Sequence, residues 1–499
     1  MSYNSDKFYN DFSGKLVDKK IKTAAIKGGG VMIITQIAKF FLQLIATAIL
    51  ARLLAPSDFG IIAMVLVFTG FADLFKDLGL SHATIQKRII TPEQVTVLFF
   101  LNVSFGLFLY FLFIFIAPSI ANIYADSRVE LVVYFVASAF LFGGVEAQYR
   151  ALVKRAMRFK LLAIIEISSI LTSSIIAIYL AFNDFGYMSL AFQPAIKAII
   201  SMVCFILFTG WHPSLPKLNC EIGDMLHLAK NLTGFNIFNY LNRNVDNLII
   251  GIFLGGAALG LYSKAYGLLM LPIQQINQPL TNVALPVLAR LSNDTKQFRK
   301  YFLAALAIIS FVIIPIQLYA LIDAKNIILF ILGDQWVDAI IIFKILAFGG
   351  ILGALNIVPT WLCVPLNNSD RMFRWALISA PVLTVCFLFS VEWGLIGISI
   401  TFSTVWGALS IILIIYSSKG TPVQSKEIFS SMLYPFICAV MSSFILLFKN
   451  IYYSNPSYLL NILTNSALFF CSYGLALMIF PKGRLMLRQL QRYYTLFKT

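Results

Sequence analysis

Five cationic side chains, Lys39, Lys197, Arg243, Lys264 and Lys344, stand inside stretches that are otherwise apolar enough to cross a bilayer. A Lys or Arg at mid-bilayer costs about 2.5–3.5 kcal/mol on insertion scales, so each is a candidate for function. An ammonium or guanidinium there offers charge-assisted hydrogen bonds to an anion, strengthened where water is partly excluded. Embedded acids are fewer, chiefly Asp246 and the near-terminal Glu146 and Glu166. This excess of cations favours an anionic ligand, a pyrophosphate or an acidic sugar. A cavity for organic cations would need its acids to dominate.

Lys39, Arg243, Lys197 and Lys264 are the candidate binding residues. Lys39 lies near the centre of its span, where its side chain cannot easily snorkel to water, so it either lines a cavity or forms a structural ion pair. Arg243 is one turn from Asp246 and has the same two readings. Lys264 and Lys344 lie near span ends, where snorkelling competes with cavity lining. Asp73, Lys76 and Asp77 form either a gate or a solvated cluster at helical spacing.

Polar residues extend the pattern. Gln36, Lys39, Gln43 and Thr47 recur at i, i+3, i+7 and i+11, which puts them on one helical face. A shift of 200 residues superposes them on Asn236, Asn239, Arg243 and Asn247, and aligns LLAPSDFGIIAM (53–64) with FLGGAALGLYSK (253–264), including Gly60 with Gly260. A polar stripe cannot face acyl chains cheaply, so both stripes are expected to face a cavity or a partner helix. Gln36, Gln43, Asn236, Asn239, Asp246, Asn247, Gln275 and Gln278 are the expected lining. Gln193, Lys197 and Ser201 share a face beside Pro194; Glu166, Ser169 and Ser173 form a further stripe, where serines also bond to their own backbone.

The elements that must position these residues are membrane helices. Of 499 residues, 59% are apolar and 12% charged, whereas soluble chains carry about a quarter charged residues. Fourteen runs of spanning length are read, near 30–50, 58–80, 95–117, 129–150, 161–182, 188–209, 231–254, 257–286, 300–322, 338–361, 373–391, 395–416, 428–448 and 459–480. With the N-terminus cytoplasmic and sides alternating, 29 of the 38 basic residues fall in cytoplasmic segments and only Arg52, Arg128, Lys325 and Lys449 outside. That bias predicts both termini inside. The expected fold class is an all-α integral membrane protein with two pseudo-symmetric six-helix lobes, 30–209 and 231–416, whose first helices line a shared central space. A cytoplasmic segment (1–29) precedes them, a cytoplasmic linker (210–230) joins them, and residues 417–499 add two helices and a basic tail.

Several classes are excluded. A net charge of +16 raises nucleic acid as a partner, but no polar stretch is long enough to form a basic domain. There is no phosphate loop of G-x-x-x-x-G-K-[ST] form, and no connecting loop has room for a catalytic domain. The six cysteines lack CxxC spacing, and the first 27 residues lack the apolar core of a signal peptide. No catalytic residue, metal or cofactor is expected.

The segments ARLLAPSDFGIIAM (51–64) and VDNLIIGIFLGGAALGLYSKAYGLLMLPIQQINQPLTNVALPVLARLSND (245–294) resemble the polysaccharide-transporter, or Wzx-type flippase, family of the MOP exporter superfamily, in particular its colanic-acid and teichuronic-acid exporter branch. The resemblance implies a two-lobed bundle in a bacterial inner membrane. It also implies alternating access and a cargo of undecaprenyl-pyrophosphate-linked oligosaccharide, flipped to the outer leaflet for polysaccharide biosynthesis. Membrane lipid and a polysaccharide polymerase would be its partners. The competing readings are a multidrug exporter of the same superfamily and a membrane-embedded glycosyltransferase or polymerase; the latter would normally carry its chemistry in a long external loop.

Overall fold

The computed structural model describes residues 18–73, 84–85, 90–215, 223–453, 456–480 and 483, and among these there is no strand. The side chains of residues 18–29, 223–239, 241–242 and 353–354 lie outside the description. The chain divides into two compact units, Met1–Gly260 and Leu261–Thr499.

The first unit contains α1 (Asp18–Leu53), α2 (Pro56–Asp73), α3 (Pro92–Tyr124), α4 (Arg128–Arg155), α5 (Phe159–Phe182), α6 (Tyr187–Thr209) and the first part of α7 (Gly223–Arg290). Local sequence sets these boundaries. Thr91 and Gln94 exchange side-chain and backbone hydrogen bonds at 3.2 Å, a capping box that starts α3 with Pro92 in its first turn. Ala125 ends α3 in the left-handed conformation, and Asp126 then receives both the backbone N–H and the guanidinium of Arg128. That guanidinium holds the Asp126 carboxyl below the usual carboxylate range. Helices α3 and α4 approach closely through small residues: a Cβ on Gly106 would lie 2.6 Å from the Phe140 carbonyl oxygen, and one on Gly144 equally close to that of Asn102.

Residues 53–64 and 253–264, aligned by the 200-residue shift, pack against each other. A Cβ on Gly60 would lie 1.7 Å from the carbonyl oxygen of Gly256, and one on Gly260 would lie 1.8 Å from that of Pro56. Positions 56 and 60 correspond to 256 and 260 under the shift, so the contact is its own image, as at a two-fold axis. Gly255, at φ +79°, breaks α7 just before this contact. Upstream of the break, the Tyr240 hydroxyl donates to the carbonyls of Leu66 and Val67 at 2.9 and 3.0 Å, tying α7 to α2.

The second unit contains the rest of α7, α8 (Thr295–Ile322), α9 (Ala324–Ile331), α10 (Ala339–Gly353), α11 (Val358–Cys363), α12 (Ser369–Ser390), α13 (Gly394–Thr401), α14 (Gly407–Ser418), α15 (Ser425–Tyr452) and α16 (Tyr458–Ile479). Its buried polar centre is Asp323, between α8 and α9. One carboxyl oxygen accepts from Asn326 at 2.6 Å and Asn465 at 2.7 Å, and the other from the Tyr319 hydroxyl at 2.8 Å. Lys449 on α15 donates to Asn465 at 2.6 Å, so the network binds the last two helices to α8 and α9.

Eleven described helices are long and apolar enough to cross a membrane, and the bent pair Ala339–Leu352 with Leu355–Cys363 makes a twelfth. Two of the eleven are each two of the sequence-read spans run together. Arg243–Arg290 is broken at Gly255, and Ser369–Ser418 is broken by the 3₁₀ turn Val391–Trp393 and Gly394 at φ +65°. Counting each as two spans accounts for the fourteen runs. The protein is a multi-pass α-helical membrane protein.

Candidate functional site

The ionisable residues of the first unit converge on one network. The Lys39 ammonium on α1 donates to Glu166 Oε2 on α5 at 2.8 Å. Arg150 Nη1, on α4, donates to the other oxygen, Oε1, at 2.7 Å. Glu166 therefore bridges two cations from two other helices. Arg150 also holds Glu146, one turn earlier on α4, through Nε at 2.7 Å and through Nη2. Lys197 on α6 lies within electrostatic reach of Arg150, Lys39, Glu146 and Glu166. Lys154 is likewise within electrostatic reach of Glu166, so four cations face two carboxylates.

Burial separates the two signs. The carboxylate side chains of Glu146 and Glu166 are 10% and 12% exposed, whereas Lys39 is 23% and Arg150 32% exposed, and Lys197 is exposed. The carboxylates lie beneath and the cations form the accessible face. At 1.5 Å per residue, Arg150 stands about 8 Å from the end of α4 at Arg155, and Glu166 about 10 Å from the start of α5 at Phe159. Lys197 is about 18 Å from the end of α6 at Thr209. Lys39 and Arg150 bond the two oxygens of one carboxylate and so stand at one level.

An aromatic core supports the network from below. Phe99, Tyr149, Phe205 and Trp211 are buried together with Val95, Leu152, Leu162 and Ile165. The Arg150 guanidinium carbon lies 5.4 Å from the centre of the Phe205 ring, a cation–π distance. Packing on α4 and α6 fixes the guanidinium plane so that its separate edges serve Glu146 and Glu166.

The structure places the expected residues unequally. Lys39 is found in the paired arrangement, and Lys197 stands beside the same network. Arg243 is exposed, and among the described residues no ion pair joins it to Asp246 or to the Lys39 network. Asp246 is buried and accepts the Asn247 N–H at 2.8 Å; Asn247 Oδ1 is itself buried with no partner among the described residues. Gln36 is half-buried and Gln43 exposed on α1, while the side chains of Asn236 and Asn239 lie outside the described residues, as do Lys76 and Asp77. Lys264 and Gln275, half-buried, and Gln278, exposed, belong to the second unit. Gln193 donates to Ser174 at 3.2 Å, whereas Ser169 and Ser173 bond to backbone carbonyls of their own helix. Ser201, one turn beyond Lys197, has a buried hydroxyl with no partner among the described residues.

Arg150 is the residue that sequence reading misses. It stands among Lys154, Arg155, Arg158 and Lys160 and reads as one more cytoplasmic loop charge. The available signal is Glu146 four residues earlier, the favourable order for a helical ion pair, in a segment otherwise apolar.

The first unit is thus a bundle of membrane-length helices with a cluster of cations set among its spans. The same architecture occurs in the lipid II flippase MurJ in its inward closed conformation, with a TM-score of 0.70 and 14% identity over 90% of this chain and 98% of that chain. The family model described as polysaccharide biosynthesis protein matches residues 49–341, more than half the chain, and the protein belongs to that family. It is 27% identical to an uncharacterized membrane protein in the cps region of Klebsiella pneumoniae over 77% of this chain and 79% of that one. It is 25% identical to the teichuronic acid biosynthesis protein TuaB of Bacillus subtilis over 67% of this chain and 70% of that one. The resemblance carried by residues 51–64 and 245–294 is thereby borne out.

Proposed function

We propose that this protein flips an undecaprenyl-pyrophosphate-linked oligosaccharide from the cytoplasmic to the outer leaflet of a bacterial inner membrane, for polysaccharide biosynthesis. The observation that carries the reading is the cluster of Arg150, Lys39 and Lys197 around buried Glu166 and Glu146. A pyrophosphate diester brings about two negative charges, and its cost of entering a low-dielectric space falls where fixed cations replace its hydration. The cations of α4, α1 and α6 supply these partners, while the polyprenyl tail stays in lipid.

The positive-inside bias places the α4–α5 turn in the cytoplasm, so the network opens toward the leaflet in which the cargo is made. The lobes 30–209 and 231–416 then alternate between inward-open and outward-open states. A multidrug exporter would be expected to show an acid-dominated face, whereas this network has a cationic surplus. The chain acts as a carrier and not as an enzyme.

Deletion of the gene in a host that makes the corresponding polysaccharide tests this. The expected result is accumulation of the complete lipid-linked repeat in the inner leaflet, identified by mass spectrometry and by its protection from added glycosidase in intact spheroplasts. Loss of the repeat itself, with no lipid-linked pool, would favour a glycosyltransferase instead.

A further inference from the structure

Glu166 occupies the position that an anionic cargo would take. Its two oxygens are separately engaged by Lys39 at 2.8 Å and Arg150 at 2.7 Å, cations contributed by α1 and α4. It lies beneath both, while the cations themselves remain accessible. Glu146 is different: among the described residues it bonds Arg150 on its own helix, a local pair. Lys197 is exposed beside the group.

From this geometry we infer that Glu166 is a resident counter-anion, displaced from Lys39 and Arg150 by the pyrophosphate of the cargo and returning to them when the cargo leaves. The inference rests on the anionic-cargo reading above and assigns Arg150 and Glu166 direct parts in it. It explains why an embedded cationic site carries a carboxylate at its centre. Without one, two unpaired cations would stand in the membrane after each release, each costly to keep there. With one, the empty carrier is stable and the cargo's two charges outcompete a single carboxylate. Displacement also sets an upper bound on affinity, so the headgroup can be released on the far side.

The test is equilibrium binding of inorganic pyrophosphate to the full-length protein in detergent micelles. Replacing Glu166 by Gln keeps shape and hydrogen bonding but raises the net positive surplus by one charge. Glu166→Gln is therefore expected to bind pyrophosphate roughly tenfold more tightly than wild type, the effect of removing one partly screened competing charge. Glu166→Asp retains the charge but is too short to reach Lys39 and Arg150 together, and is expected to fall between the two. It keeps the measurement decisive should the Gln variant fail to fold. Lys39→Ala should weaken binding in either background. Unchanged or weaker binding by Glu166→Gln, or weaker binding by Glu166→Asp, overturns the displacement while leaving the cargo site standing, provided Lys39→Ala still weakens binding. If Lys39→Ala has no effect on pyrophosphate affinity, the cargo reading itself fails and the inference with it.

Discussion

Substituting Gly60 by Ala separates steric contact from helix propensity at the reciprocal seam. An added methyl would meet the Gly256 carbonyl oxygen at 1.7 Å, where an ordinary carbon–oxygen contact needs about 3.2 Å. The backbones must move apart by about 1.5 Å, because both partners are main chain and neither can rotate away. Overpacking of this kind costs up to about 3 kcal/mol, and Ala in place of Gly returns about 1 kcal/mol of helix propensity. The net loss is about 2 kcal/mol, roughly thirtyfold in the folded ratio. Gly260→Ala, at 1.8 Å from the Pro56 carbonyl oxygen, should cost the same. Gly267→Ala supplies the control on the same helix, since nothing lies within 4 Å of its Cβ; only the propensity gain of about 1 kcal/mol remains. The two clashes share one seam, so a single separation relieves both. The Gly60→Ala, Gly260→Ala double variant should lose only about 1 kcal/mol, one shared separation offset by two propensity gains, where additivity would give about 4. Thermal stability of detergent-solubilised protein, followed by fluorescence-detected size exclusion, reads all four. A Gly60→Ala protein as stable as Gly267→Ala, or strict additivity in the double variant, would refute the reciprocal contact.

Two further predictions concern the second unit and the topology. Burial pushes the Asp323 carboxyl up, more than its hydrogen bonds from Asn326, Tyr319 and Asn465 lower it. A raised folded-state value means the folded protein holds that proton more tightly. This contribution is therefore intact below the unfolded carboxyl value of about 3.9 and is lost as pH rises through the folded one. Asp323→Asn should flatten that part of the stability profile in thermal melts across pH, and an unaltered slope would count against it. For topology, single cysteines at Met157 in the α4–α5 turn and at Asp184 in the α5–α6 turn should label from opposite sides, Asp184→Cys alone reacting with an impermeant maleimide in whole cells. Labelling of Met157→Cys would reverse the orientation.

The helices were the most legible part, because a lipid environment forces every span to announce itself as about 20 apolar residues. Even the interruptions were readable: Gly255 and the 391–394 turn fall in the gaps between spans, where positive φ calls for glycine. The weak match of residues 53–64 with 253–264 proved to mark segments in physical contact, which a self-comparison has no means to show. The site was legible only in part. Lys39 and Lys197 are isolated charges in apolar sequence, and depth alone singles them out. Arg150 is hidden by the basic residues that follow it, and its partnership with Glu166 depends on how α4 packs against α5. The role of Glu166 emerges only when both of its oxygens are seen to be occupied.

The central claim is that the cationic face carries a pyrophosphate-linked lipid through the bilayer. The most direct measurement reconstitutes the protein in liposomes with a fluorescent polyprenyl-pyrophosphate oligosaccharide and follows its loss of accessibility to an added quencher under an imposed ion gradient. The account predicts time-dependent translocation by the wild type and at least a tenfold slower rate in a Lys39→Ala, Lys197→Ala variant of equal melting temperature. Together the two cations it lacks are worth at least the ~1.4 kcal/mol that a tenfold effect requires. Translocation by that variant at the wild-type rate would contradict it.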